Sequence, residues 1–419
     1  MTDNVHPDSP EPGILVLTTR KPGYDNGNAI RITNVLEGLL GVGSVHLCLI
    51  DSTEDGQQLD PDPRLSTTVI RARERSRTMK VLDFFGRDPS AVPYRQMTTL
   101  QDLLAERLGR TQWDLVWCVR ARVHVLSRPV IRGPRIVDLD DLHDRLLRSE
   151  IRDRRDQYGL IGTAPRNLFD WFDARRWRRL QHSIASEVDK VLICSPLDRD
   201  RLGDANAAVV PNGYPHPAHD PGAHAVTGDS APSLLFVGPL TYEPNLLAVH
   251  WMIERVLPRL RAELPGIAFT VVGDDRGVRN TDGDGVVYTG HVDDVQPYYE
   301  RATVAVVPLH SGGGTRLKVI EAMARGVPLV STTFGVEGLD VTPGHDVLIA
   351  DDPATFARTC RAVVTDPELH GQLVQAGLER YRARLTAQAT IAAVRLLAGE
   401  VLAETARPNA RRAGSHRQE

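Results

Sequence analysis

Residues 311–332 read SGGGTRLKVIEAMARGVPLVST, directly after TVAVVPL (303–309). The preceding run is almost wholly apolar, which predicts a strand covered by helices on both faces. Gly312, Gly313 and Gly314 then make a flexible loop whose backbone amides can face a diphosphate. A helix beginning near Thr315 adds the positive end of its dipole. On that helix Lys318 and Glu321 are three residues apart and share a face. Arg316 and Lys318 are placed to neutralise phosphate, and Glu321 to accept ribose hydroxyls. A capped surface helix with a Lys–Glu pair is the plainer reading, and the specificity of the flanking pattern argues against it.

The same strand–loop–helix rhythm extends in both directions. Before the glycine loop lie Leu234–Val237, Ala268–Val272, Val286–Thr289 and Thr303–Pro308; after it come Pro328–Ser331 and Val347–Ile349. An earlier series comprises Ile14–Thr19, Val45–Ile50, Thr67–Ile70, Asp114–Val119, Arg135–Leu139 and Lys190–Cys194. Each series predicts a parallel sheet of βα units. Between them, PNGYPHPAHDPGAHAVTGDSAP (211–232) has no hydrophobic period and reads as a domain boundary. The expected organisation is a disordered start (1–12), a first Rossmann-like domain (13–212), a linker (213–232) and a second Rossmann-like domain (233–385). A helix over 386–405 that can cross back to the first domain and a disordered tail (406–419) complete it. The fold class is α/β, with two Rossmann-like doubly wound domains facing a cleft.

Composition narrows the function. The 419 residues carry a formal charge of −4, which gives no bulk attraction for nucleic acid. No apolar run approaches the ~18 residues of a membrane span, and the first residues lack a secretory pattern. Cys48, Cys118, Cys194 and Cys360 are widely spaced, which predicts buried free thiols in a reducing cytoplasm, with neither disulfide nor zinc. Only Lys21, Lys80, Lys190 and Lys318 are lysines; the other 46 of the 50 basic residues are arginine. In so arginine-rich a chain a retained lysine draws attention to Lys318.

Ligands of doubly wound sheets bind beyond the carboxyl ends of the strands. There the first domain carries KPGYDNGNAIR (21–31), where Gly23 and Gly27 allow positive φ and close backbone approach, before a helix N-terminus open to an anion. The spacing is not GxGxxG, so no dinucleotide pocket is indicated. A second segment is RIVDLDDLHD (135–144), in which Asp140, Asp141 and His143 are all candidates for a polar group facing a ligand. Asp282 and Asp284, in TDGDG, read as turn chemistry. Trp171, Phe172 and Trp177 read as one helical face packed on the sheet edge with arginines around it, in preference to an RNA-binding surface. Arg71, Arg73, Arg75, Arg77 and Lys80 read first as a solvated basic segment, and secondly as one able to approach an anionic or lipid-linked molecule.

EAMARGVPLV (321–330) resembles the hallmark of glycosyltransferase family 4, retaining enzymes of the GT-B fold. PNGYP (211–215), LLFVGPLTYEPNLLAVHW (234–251), FTVVGDD (269–275), YTGHVDDVQPYYERATVAVVPL (288–309) and VSTTFGVEGLDVTPGHDVLIADDP (330–353) carry the resemblance over most of the chain. It implies a donor pocket formed by Gly27, Asn28, Arg31, Gly238, Asn245, Gly273, His291, Val292, Gly312, Gly313, Gly314, Thr315, Leu317 and Glu321, with His291 near the base. The family's Glu-x7-Glu pattern is incomplete: Glu321 matches the second glutamate, but Gly313 stands where the first, which often contacts the donor sugar, would fall. The family's Arg and Lys on the loop after the first strand of the second domain are replaced by Pro239, Tyr242 and Glu243. Diphosphate charge then falls to Arg316, Lys318 or Arg31.

The expected function is retaining transfer of a sugar from a nucleotide-diphospho-sugar to a small-molecule, glycan or lipid-linked acceptor. Lys318, Arg316 and Asp140 are the expected catalytic residues, with no metal and no cofactor beyond the co-substrate. Asp138-Leu139-Asp140 also fits the metal motif of the other glycosyltransferase fold, but the glycine loop belongs to GT-B. A second reading, motivated by Gly313, is an altered relative that binds nucleotide sugar or couples a ring through nitrogen. A hydrolase or epimerase on the same fold is a third.

Overall fold

The computed structural model describes residues 11–24, 26–51, 64–71, 88–92, 97–159, 163–215, 231–274, 285–314 and 316–406. Thr315, Asp282, Asp284, Arg73, Arg75, Arg77, Lys80, most of the linker and nearly all of both expected disordered termini lie outside the described residues.

Two sheets carry the chain. The first has the order β3-β2-β1-β4-β5-β6-β7, built from Gly13–Thr18 (β1), Ser44–Asp51 (β2), Leu65–Arg71 (β3), Leu115–Val119 (β4), Arg135–Asp140 (β5), Lys190–Ile193 (β6) and Ala207–Val209 (β7). The second has the order β10-β9-β8-β11-β12-β13, from Ser233–Val237 (β8), Ala268–Val272 (β9), Val286–Tyr288 (β10), Val304–Val307 (β11), Leu329–Ser331 (β12) and Leu348–Ile349 (β13). Every strand pair is parallel. Both orders reverse direction once, as in doubly wound sheets. The expected strands all recur; Ala207–Val209 is additional, three residues long and ended by Pro211.

β1 shows why its sequence lacks polar alternation. Ile14 and Val16 pack on one face with Ile32, Val35 and Leu39, while Leu15 and Leu17 pack on the other with Leu100, Leu104 and Ile184. A central parallel strand is buried on both sides, so both sets must be apolar.

The last helix, Ala387–Ala406, returns to the first domain and packs on the helix Gly27–Leu40. Val394, Leu397, Ala398 and Val401 join Ile14, Val16 and Trp117 in one buried cluster. At ~1.5–3 kcal/mol for each large buried aliphatic, this layer is a main support of the first sheet. The two connections between domains run side by side: Tyr214 N–H donates to Leu385 O (2.9 Å) and Ala387 N–H to Tyr214 O (2.9 Å). Gly213 permits that approach, since a Cβ there would lie 2.1 Å from the Thr386 carbonyl oxygen.

One expectation fails. Trp177 is buried, but Trp171 and Phe172 are 41% and 37% exposed. Six residues turn a helix by about 240° beyond a full circle, so 171 and 177 cannot share a face. The exposed pair forms its own contact, edge to face at 4.9 Å, with the Arg175 guanidinium 3.4 Å from the Trp171 ring centre. All four cysteines are buried and none forms a disulfide, and among the described residues no helix is long and apolar enough to cross a membrane.

Candidate functional site

The reversals in strand order fall between β1 and β4 in one sheet and between β8 and β11 in the other. The segments at those points, residues 21–24, Asn26 and Arg120 from the first domain, Gly238 and Ser311–Gly314 from the second, form the candidate site. Gly27 meets the second domain directly, because a Cβ there would sit 2.5 Å from Leu317 Cδ1. Positive φ is not used at Gly27; the glycine serves close approach, and to a leucine. Asn26 caps the helix that follows, its side chain accepting from Ala29 N–H (3.0 Å).

Behind this loop stands a ladder of charges. Arg31 is buried and holds both Asp138 oxygens (2.8 and 2.8 Å), and also donates to Val210 O and Asn212 Oδ1. The structure therefore does not bring Arg31 to a donor diphosphate; its guanidinium is spent within the first domain. Asp140 is also occupied, Oδ2 by Arg120 (2.9 Å) and Oδ1 by the Asn212 amide (2.9 Å). Burial raises the Asp140 pKa, but Arg120 and Arg31 outweigh it and hold it below the usual range. Its placement is that of a brace, not of a carboxylate free to meet a sugar. With Asp138 and Asp140 both paired to arginines, the Asp-x-Asp segment is an ion-pair frame.

Sequence reading missed Arg120. It follows β4 at the reversal point and binds Asn28 Oδ1, Asp140 Oδ2, Leu139 O and Asp141 Oδ1. Arg120 (φ 84°) and Asp140 (φ 62°) are the two non-glycine residues at positive φ among the described residues. Left-handed backbone at such residues costs about 1–3 kcal/mol and collects at functional sites. A basic residue directly after a strand at the reversal point was the available signal. His143 turns aside, its ring 4.4 Å from that of Trp177, and burial drives its pKa down to about 4. Asp141 stays at the cleft, with its pKa raised to about 6 by burial, then by Asp140, against the pull of Arg120.

On the opposite side, Lys318 Nζ donates to Asn245 Oδ1 (2.6 Å) and lies 4.0 Å from the Phe236 ring centre. Asn245 in turn donates to Pro239 O (2.9 Å), which ties the Gly238 loop to the helix Leu317–Ala324. Burial, then the Arg316 charge, lowers the Lys318 pKa to about 7. Gly273 packs on the Gly238 carbonyl, where a Cβ would come within 2.4 Å. Arg316 is 8% exposed, gives one nitrogen to Gly314 O, lies 4.7 Å from the Phe334 ring centre, and keeps Nε and Nη2 buried without a hydrogen-bond partner among the described residues.

Two of the three glycine amides are occupied. Gly312 N–H donates to Ser149 Oγ (3.1 Å) and Gly313 N–H to Tyr242 Oη (3.1 Å). Hydroxyl oxygens thus stand where an anion was expected, one from each domain. The helix His143–Tyr158 fastens the arrangement: Asp153 accepts from Ser311 Oγ (2.6 Å), and Gln157 donates to Leu247 O (3.2 Å). Glu321 is held by Tyr214 Oη (2.5 Å) and Arg325 (3.3 Å). A carboxylate has about four lone-pair sites, so ribose would share it with these partners. His291 is exposed, and Val292 packs partly against the core.

Residues 231–366 match the family model for glycosyl transferases group 1. A Klebsiella pneumoniae protein, an uncharacterized 44.6 kDa protein in the cps region, is 24% identical over 208 residues, 46% of this chain. That match spans about half (52%) of the relative's length. Anabaena Alr3699/HepE in complex with UDP-glucose superposes with a TM-score of 0.61 at 12% identity, covering 94% of this chain and 100% of that one. An alpha,alpha-trehalose-phosphate synthase (UDP-forming) from Burkholderia vietnamiensis gives 0.63 at 14% identity, covering 95% and 98%. Residues 231–366 are thus similar to the group 1 glycosyltransferases, and the chain as a whole shares the GT-B fold of these solved structures.

Proposed function

We propose that the protein is a retaining glycosyltransferase that takes a sugar from a nucleotide-diphospho-sugar, without metal, to a small-molecule, glycan or lipid-linked acceptor. The observation that carries this reading is Arg316, a buried cation at the glycine loop with two unsatisfied nitrogens. A buried charge with only one of its nitrogens satisfied is costly, and a phosphate beside it supplies both charge and acceptors. Lys318 adds a second cation from the same helix. Bond cleavage builds negative charge on the β-phosphate, and these groups act where it forms. The departing phosphate can itself match the positive charge on the sugar and guide the acceptor to the same face, so no protein nucleophile is required. The four buried cysteines, none in a disulfide, support a reducing, cytoplasmic setting.

Incubation with UDP-, GDP-, ADP- and dTDP-sugars tests the reading through release of nucleoside diphosphate. Release from one of them, undiminished by EDTA, is the expected result. No release from any, with or without added Mg²⁺ or Mn²⁺, sinks the proposal; loss with EDTA and rescue by Mg²⁺ or Mn²⁺ sinks its metal-free form.

Glu321→Gln should weaken donor binding and turnover about ten- to hundredfold, since hydrogen bonds to a charged group contribute about 1.5–3 kcal/mol. Unchanged kinetics in a variant with a normal melting curve removes Glu321 from the site.

A further inference from the structure

Asp140 and Asp141 are adjacent carboxylates with opposite fates. Asp140 has both oxygens bound inside the first domain. Asp141 gives Oδ1 to Arg120 (3.2 Å), and Oδ2 has no hydrogen-bond partner among the described residues. That free oxygen lies on the glycine loop of the opposite domain, where a Cβ added to Gly313 would come within 2.5 Å of it. Among the glycines of the loop, 313 is where an added Cβ would crowd Asp141 most closely; at Gly314 the same atom would stand at an ordinary 3.5 Å. Asp141 also lines a cavity of about 150 Å³ between the domains, with Ser149, Ser195, Gly314 and Arg316 on its walls.

We propose that Asp141 receives hydroxyls of the donor's sugar at the glycine loop, and that residue 313 is glycine to admit it. The reasoning rests on the nucleotide-sugar reading above. A carboxylate with one oxygen anchored and the other facing a polar cavity is suited to accept hydroxyl hydrogen bonds. The strained Arg120–Asp140 pair fixes its direction, as a preorganised site requires. Because the carboxylate belongs to one domain and the loop to the other, the sugar site is complete only while the two are in contact. Its pKa of about 6 leaves it mostly ionised at neutral pH and protonated in acid.

Binding of a nucleotide sugar and of its bare nucleoside diphosphate separates the possibilities, using UDP-glucose with UDP and the corresponding GDP, ADP and dTDP pairs. In Asp141→Ala the affinity for the nucleotide sugar should fall about 10- to 100-fold while that for the diphosphate stays within about twofold. Gly313→Glu should lose sugar-dependent affinity, and Gly313→Glu with Asp141→Gly should regain at least a tenth of it. Equal loss for both ligands, or no loss for either, overturns the role of Asp141. A double variant no better than Gly313→Glu overturns the steric exchange. If the unmodified protein binds none of the pairs, the donor reading itself has failed, and the variants are not what decided it.

Discussion

Lys318→Ala is expected to lower kcat about a hundredfold or more, as loss of a preorganised donor does at other developing oxyanions. The donor KM should rise by less than kcat falls, because the attraction grows as charge moves onto the β-phosphate. The rival view is that Lys318 is a strut, joining the helix to the Gly238 loop through Asn245. Lys318→Met keeps the length and apolar contact with Phe236 and tests that view: near-normal kcat in Lys318→Met ends the catalytic role. The pH profile gives a second readout. Burial has lowered this lysine to about 7, and the protonated form is the useful one. Therefore kcat/KM for the free enzyme should decline as pH rises through about 7. Lys318→Arg, whose guanidinium stays charged, should retain activity and shed that alkaline limb.

Arg31→Ala is expected to destabilise the protein by about 3–5 kcal/mol, the usual cost of breaking a buried pair from one side. Asp138 would be left buried with neither of its bidentate contacts, and Asp140 would lose a neighbouring cation at 3.7 Å. Arg31→Met combined with Asp138→Leu should be less damaging than Arg31→Ala, because no charge is then stranded. Urea unfolding measures both. A loss below about 1 kcal/mol for Arg31→Ala shows that water relieves Asp138, and the frame beneath Asp141 is looser than drawn.

These two residues also mark what was legible. Lys318 stands on a helix whose sequence, composition and place after an apolar strand all point to anion binding. Arg31 carried the same apparent signal, a basic residue past a glycine turn. Its true partner is 107 residues away in sequence, and no local pattern encodes that meeting. Likewise, the strands were readable because a sheet covered on both sides demands continuous apolar runs. Ala207–Val209 escaped because three residues are too few to show a period. The glycine loop was readable, but not that Ser149 and Tyr242 would occupy its amides, since one of those hydroxyls crosses from the other domain. Arg120 lay outside any recognised pattern; only the reversal in strand order gives its position meaning.

The return of the helix Ala387–Ala406 to the first sheet has a consequence for synthesis. Ile14, Val16 and Trp117 cannot be fully covered until Val401 has left the ribosome. At about 5–20 residues per second, the roughly 200 residues after β7 take about 10–40 s to emerge. Through that interval the first-made sheet has an apolar patch facing water or a chaperone, while the later-made sheet already has its own covering helices at hand. The nascent chain therefore completes its second half before its first, and a ribosome stalled short of residue 394 would leave the older half exposed to aggregation.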